Sequence, residues 1–259
     1  MDANYQLDMY HQTIVKTNAE DVAQAAKEWL IETVQEAIAT RGECSIALSG
    51  GSTPKRLYQL IAETSSEELD WSKVKLIWGD ERNVPHDHVD SNYKMVCEAW
   101  LDRLDPTKPN QIPQAFPVQI DVNSPERAAS EYEAQIRSAI DSTQAYQDDF
   151  PPIDIVLLGL GDDAHTASLF PETEALEETS RLFVSNYVPK FAAYRLTLTA
   201  PMINSARNVA FLVCGQSKRP ALEVVMHGPR HPSEYPAQLV EPKHGRQLWF
   251  LDTAAAPAN

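Results

Sequence analysis

The strongest constraint on the fold is a short run near the middle of the chain. Ile153-Asp154-Ile155-Val156-Leu157-Leu158 is almost wholly apolar and stops abruptly at Gly159-Leu160-Gly161-Asp162-Asp163-Ala164-His165. An apolar run of this length, without polar alternation, reads as a strand buried on both faces, as in parallel sheets. In open α/β sheets the ligand crevice lies beyond the carboxyl ends of the strands. Asp163 and His165 therefore fall at the lip of a sheet. A solvated Asp with a hydrogen-bonded His would give the same local pattern, so the rest of the chain has to decide between inert loop and chemistry.

The pattern of strand followed by helix recurs. Ile14-Val15 closes a short strand, and Asn18 to Thr40 carries one apolar stripe (Val22, Ala26, Trp29, Leu30, Val34, Ala37), with Asn18 as N-cap and Gly42 as the stop. Cys44–Leu48, Val74–Trp78, Leu182–Ser185, Tyr194–Thr199, Asn208–Cys214 and Gln247–Leu251 read as strands, with Leu239-Val240 as a further extended piece. Helices are predicted from Lys55 to Ala62, from Asn92 to about Leu104, from Ser124 through Ile140, briefly at Pro201–Ala206, and from Gly215 to about Met226. No flexible linker or internal repeat interrupts this order. It predicts one domain over residues 1–252, a doubly wound, mostly parallel, Rossmann-like α/β sheet with helices on both faces, and a disordered tail over 253–259.

Composition narrows the partners. The 259 residues hold 22 Lys and Arg against 37 Asp and Glu, a net charge of -15 that opposes nonspecific binding to nucleic acid or an anionic membrane. Any anion site must be concentrated in a few cations and backbone amides. No apolar run reaches membrane-spanning length, and MDANYQLDMYHQ lacks the features of a signal peptide, so a cytoplasmic protein is expected. Cys44, Cys97 and Cys214 are widely separated, without metal-knuckle spacing, and Cys44 and Cys214, in apolar strand-like runs, read as reduced core residues.

Two further junctions carry chemistry. Ser49-Gly50-Gly51-Ser52-Thr53-Pro54 follows a strand and opens a helix: paired glycines permit a tight turn, Ser52 or Thr53 can cap, and several free N–H groups and hydroxyls converge. This is phosphate-binding chemistry, although the stretch is neither a Walker loop nor a GxGxxG fingerprint. Asp80-Glu81-Arg82 likewise follows a strand, with Asp80 and Arg82 as site candidates and Glu81 as a residue that holds the loop by an internal salt bridge. The polar run His86, Asp87, His88, Asp90 is not read as a metal site, because adjacent side chains on a loop need not converge. No metal and no cofactor are expected.

Taken together, these stretches, with Ser91-Asn92-Tyr93 and Arg195-Leu196-Thr197-Leu198-Thr199 followed by Pro201 and Asn204, make the chain similar to the glucosamine-6-phosphate isomerase/6-phosphogluconolactonase family over residues 10 to 251. The resemblance implies a Rossmann-like sheet without a nucleotide. It also implies hydrolysis of 6-phosphoglucono-δ-lactone to 6-phosphogluconate in the oxidative pentose phosphate pathway. In it His165 matches the catalytic histidine, Asp163 the acid before it, and Arg82 an active-site arginine. Gly50, Gly51, Ser52 and Thr53 match the phosphate cradle, assisted by Arg195 and Lys218, with Asp80 beside the substrate. Ala164 departs from the Gly usual at its position, which would cost about 1 kcal/mol if positive φ were required.

The deaminase branch is the rival, but it uses a Glu several residues after the histidine, where this chain has Thr166-Ala167-Ser168-Leu169-Phe170 and reaches Glu172 only beyond Pro171. A non-catalytic sugar-phosphate-binding regulatory domain is the other alternative. For a lactonase the expected mechanism is water activated by His165, which then protonates the leaving oxygen. A serine acyl-enzyme through Ser49, Ser52 or Ser168 is the competing route, though none sits in a GxSxG elbow. The expected partner is a small-molecule substrate, with no obligate protein partner.

Overall fold

The apolar runs pair side by side. In the computed structural model, which describes residues 11–63, 69–140 and 150–257, seven strands form one sheet: His11–Lys16 (β1), Cys44–Leu48 (β2), Val74–Trp78 (β3), Gln114–Phe116 (β5), Ile155–Leu158 (β6), Asn208–Val213 (β9) and Arg246–Asp252 (β10). The order is β1-β10-β9-β6-β2-β3-β5, and every neighbouring pair is parallel. Asp80–Arg82 (β4), Phe183–Val188 (β7) and Ala193–Leu198 (β8) form a second, antiparallel sheet in the order β4-β8-β7. Every residue of β2, β6 and β9 is buried, as expected of strands covered on both faces in a doubly wound α/β fold.

Helices fill the crossovers: Ala19–Arg41 (α1), Ser52–Ala62 (α2), Asn92–Ala99 (α3), Pro125–Ala139 (α4), Ala200–Asn204 (α5) and Arg219–His227 (α6). The first follows its sequence signals closely. The Asn18 side chain accepts the Asp21 N–H at 3.0 Å, the stripe Val22, Ala26, Leu30, Val34 and Ala37 is buried, and Gly42 at φ 85° ends the helix. Strand succession places the site. From β2 the chain steps to β3 and β5 on one side, then returns to β6, β9 and β10 on the other, so the strand order reverses between β2 and β6. A crevice opens beyond the carboxyl ends of strands at such a reversal.

Several expectations are corrected. Leu239-Val240 is not a strand: Leu239 ends a 3-10 turn, Pro236–Leu239, whose Ala237 N–H donates to Ala164 O at 2.9 Å, and only Val240 leaves it in extended geometry (φ -83°, ψ 98°). The helix from Asn92 stops at Ala99, because Trp100 leaves helical geometry (φ -136°, ψ -64°) before a 3-10 turn at Leu101–Arg103. Asp80–Arg82 is a strand rather than a loop, recruited by β8. The start of the expected loose tail is tied down: the Thr253 N–H donates to Lys16 O and its hydroxyl to Thr17 O, both at 2.9 Å, and Ala255 is fully buried. Residues 258–259 lie outside the described residues.

Candidate active site

The loop after β6 is folded back on itself. Gly161 N–H donates to His165 O at 2.8 Å, Ala164 N–H to Gly161 O at 3.0 Å, and the Thr166 hydroxyl to Gly159 O at 2.8 Å. This return needs left-handed backbone at Ala164 (φ 60°) and again at Ala167 (φ 47°). Position 164 therefore does require the conformation that favours glycine; alanine bears it at a cost of about 1–2 kcal/mol, with its methyl in a site only 1% exposed. Gly161 is the stricter position, because a Cβ there would lie 1.9 Å from His165 Nδ1.

The fold-back sets two side chains in contact. His165 Nδ1 lies 2.5 Å from Asp163 Oδ1, and Lys190 Nζ lies 2.7 Å from the other oxygen, Oδ2. The imidazole contact, with the lysine adding to it, holds the Asp163 carboxyl well below the usual carboxylate range against the opposing effect of burial. A neutral imidazole paired in this way keeps its proton on Nδ1, facing the carboxylate, and leaves the Nε2 lone pair to accept a proton. Phe170 stacks on the ring, with centroids 4.0 Å apart and planes 22° apart, so the imidazole has one preferred plane.

Opposite stands the loop after β2. Tyr58 Oη accepts the Ser49 N–H and donates to Ser49 O, both at 2.9 Å, so one buried phenol clamps the end of the strand. Gly50 passes directly over the Asn92 side chain, where a Cβ would meet Asn92 Oδ1 at 2.2 Å. Gly51, at φ 101°, occupies the N-cap of α2, and neither Ser52 nor Thr53 caps it, which corrects the expected capping role. Their hydroxyls are thus not spent on the helix end, and the N–H groups of its first turn have no intrahelical acceptor. The aligned peptide dipoles favour an anion at that point.

The third wall comes from β4. Asp80 accepts the Ser168 hydroxyl at 2.8 Å, and Asn92 Nδ2 donates to Asp80 O at 2.9 Å, so one asparagine links this strand to the Gly50 turn. Glu81 does hold the loop, but through hydrogen bonds instead of a salt bridge: its carboxylate accepts the N–H groups of Arg82, Asn92 and Tyr93 at 2.7 Å each and the Ser91 hydroxyl at 3.2 Å. Burial pushes its carboxyl up, and these donors oppose the shift. Arg82 Nη1 donates to Asp90 O at 2.6 Å. Arg195 is its register partner on β8 and lies over the Phe191 ring at 5.2 Å, where burial first and Arg82 second disfavour its charged form.

These walls enclose a cavity of about 230 Å³. Gly50, Gly51, Ser52, Thr53, Asp80, Arg82, His165 and Lys218 all line it. Asp163 stands behind His165, and Arg195 stands beside Arg82, outside the lining. Lys218 reaches the cavity from the β9–α6 connection, with its Nζ 2.6 Å from Asp162 Oδ1. Of the candidate nucleophiles, Ser168 is 2% exposed and donates to Asp80, while Ser49 Oγ donates to its neighbour's carbonyl, Gly50 O, at 3.2 Å. Cys214 also lines the cavity, against Thr53, and burial pushes its thiol up to about 11, so it stays protonated at neutral pH. His86 Nε2 contacts Val118 O at 2.7 Å, and among the described residues no group of three or more His, Cys, Asp or Glu could hold a metal ion. Sequence reasoning missed Lys190, Asn92 as the link between loops, and Phe170 as the platform. Only tertiary structure brings Lys190, 27 residues away, to Asp163.

Known proteins resemble this chain along most of its length. The family described as glucosamine-6-phosphate isomerases/6-phosphogluconolactonase matches residues 17–249. A 6-phosphogluconolactonase of Nostoc sp. is 45% identical over 227 residues, covering 87% of this chain and 89% of the other. One from Synechocystis sp. is 42% identical over 250 residues, covering 95% and 98%. The solved structure of 6-phosphogluconolactonase from Trypanosoma brucei superposes with a TM-score of 0.82 at 27% identity, covering 96% of this chain and 98% of that one.

Proposed function

The chain belongs to the glucosamine-6-phosphate isomerase/6-phosphogluconolactonase family, and we propose that it hydrolyses 6-phosphoglucono-δ-lactone to 6-phosphogluconate, the lactone-opening step of the oxidative pentose phosphate pathway. The observation that carries this reading is the Asp163–His165 pair facing a helix N-terminus across one small cavity. The substrate phosphate rests on the Gly51–Thr53 turn, with Lys218 within reach and Arg195 approaching from the Arg82 side. Anchoring this remote dianion converts binding into orientation of the lactone carbonyl at His165.

His165 Nε2 takes a proton from water as the water oxygen bonds to the lactone carbonyl carbon. Arg82, with backbone amides, stabilises the oxyanion. Collapse breaks the bond between that carbon and the ring oxygen, and the imidazolium returns its proton to the departing oxygen. The product carries a new carboxylic acid and a free hydroxyl. Direct attack by water is favoured over an acyl-enzyme because Ser168 is buried with its hydrogen on Asp80, Ser49 donates to Gly50 O, and Ser52 lies in the turn assigned to the phosphate. The deaminase alternative lacks its glutamate at the ring: Glu172 is exposed and Phe170 occupies the face of His165.

The test is acid release from fresh 6-phosphoglucono-δ-lactone above the spontaneous rate, with ammonia release from glucosamine 6-phosphate followed in parallel. Lactone hydrolysis that falls roughly 100-fold or more in a folded His165→Ala variant is expected. Ammonia release alone, or binding of 6-phosphogluconate without accelerated hydrolysis, would replace this reading with the deaminase or the regulatory domain.

A further inference from the structure

One turn supports the catalytic pair at two points, once directly and once through Phe170. Between β7 and β8 the chain rounds Pro189–Phe191 and leaves through Ala192, left-handed at φ 47°. From this turn Lys190 Nζ meets Asp163 Oδ2 at 2.7 Å, on the oxygen that His165 does not use. The next residue, Phe191, packs edge-on against Phe170 with centroids 5.5 Å apart, and Phe170 stacks on the His165 ring. The carboxylate and the ring are thus held from the same short segment.

The charge arrangement gives this contact a chemical sense. A carboxylate in contact with an imidazole stabilises the protonated ring, which cannot act as a base. A cation on that carboxylate works in the opposite direction. Asp162 adds negative charge nearby but is itself paired with Lys218. Across the cavity Asp80 is engaged by Ser168, while Arg82 and Arg195 lie together on β4 and β8. The Pro236–Leu239 turn that supports Ala164 carries no charged side chain. Among the described residues, Lys190 is the lysine or arginine in ion-pair contact with Asp163.

Building on the lactonase reading, we propose that Lys190 is a positioning residue of the hydrolysis. By engaging Asp163 Oδ2 it fixes the other carboxylate oxygen on His165 Nδ1 and offsets its charge, so that the imidazole stays neutral and Nε2 accepts the proton of water. Lys190 does not line the cavity and acts through Asp163.

The test uses the full chain with Lys190→Met and Lys190→Arg. The His165 ring is titrated by NMR without substrate, and kcat/KM for the lactone is measured across the neutral range. Because the lysine is 57% exposed, solvent screens it, and the expected effect of Lys190→Met is an upward move of about half a pH unit in both the ring titration and the acidic limb of kcat/KM. Below that limb this is roughly a threefold loss. Lys190→Arg should bring both back toward the parent values. An unmoved ring titration in Lys190→Met, or an arginine variant that matches the methionine one, overturns the proposal whatever the activity. Failure of the parent protein to hydrolyse lactone overturns the proposed function instead, and a moved titration would still support the hold of Lys190 on the pair.

Discussion

At the scale of single residues, the loop after β6 separates tolerance of a methyl group from intolerance. Ala164 holds left-handed backbone with its methyl buried, whereas a methyl on Gly161 would overlap the imidazole itself. Gly161→Ala is therefore expected to displace His165 from Asp163 and lower kcat by roughly 100-fold or more. Circular dichroism should show secondary structure unchanged, and kcat near the parent value would show that the loop can move aside. From the sequence, His165, Asp163 and the glycine turn were legible because each follows an apolar run. The conformation at residue 164 could only be posed as a question, since a φ angle depends on what the chain returns to.

Among the elements, the short strand β4 and the start of α3 depend on one buried carboxylate. Glu81 accepts three backbone N–H groups and a hydroxyl, each belonging to a piece that frames the cavity. Glu81→Ala would leave these donors unpaired away from water. The expected loss is about 2–4 kcal/mol of stability, read as a lower urea midpoint with the slope unchanged. A midpoint shift below about 0.5 kcal/mol would mean that water replaces the carboxylate. Element reading from sequence succeeded where apolar periodicity was strong, as in α1, β2, β6 and β9, and failed where partners decide. Asp80-Glu81-Arg82 has no strand propensity and is extended because β8 offers it an edge. Leu239-Val240 looked extended, yet Leu239 closes the Pro236–Leu239 turn whose Ala237 N–H meets the carbonyl of Ala164, and only Val240 is extended. The turn carrying Lys190 gave no signal, because only the β7–β8 pairing aims it at Asp163.

Over the whole molecule, the two ends of the parallel sheet have different duties. At the carboxyl end, β2, β3, β6 and β9 each deliver one wall of the cavity. At the opposite end, buried Asp154 accepts the Ser45 N–H at 2.8 Å and its hydroxyl at 3.1 Å and lies 2.8 Å from Arg41 and 3.4 Å from Arg207. Asp154→Ala should cost about 3 kcal/mol or more by leaving cations and donors unpaired, with Tm lowered by several degrees. KM of the folded fraction should not change, and a raised KM would show that the ends communicate. The doubly wound α/β class follows from the alternation of apolar runs with helical stretches, whereas the strand order and the register that aligns four loop ends do not. The pairing of β1 with β10 also has a consequence in time. His11–Lys16 finds its strand partner in Arg246–Asp252, more than two hundred residues later. During synthesis this early segment must wait, unpaired, until nearly the whole domain has left the ribosome, so the edge of the sheet closes last and a stalled chain exposes it.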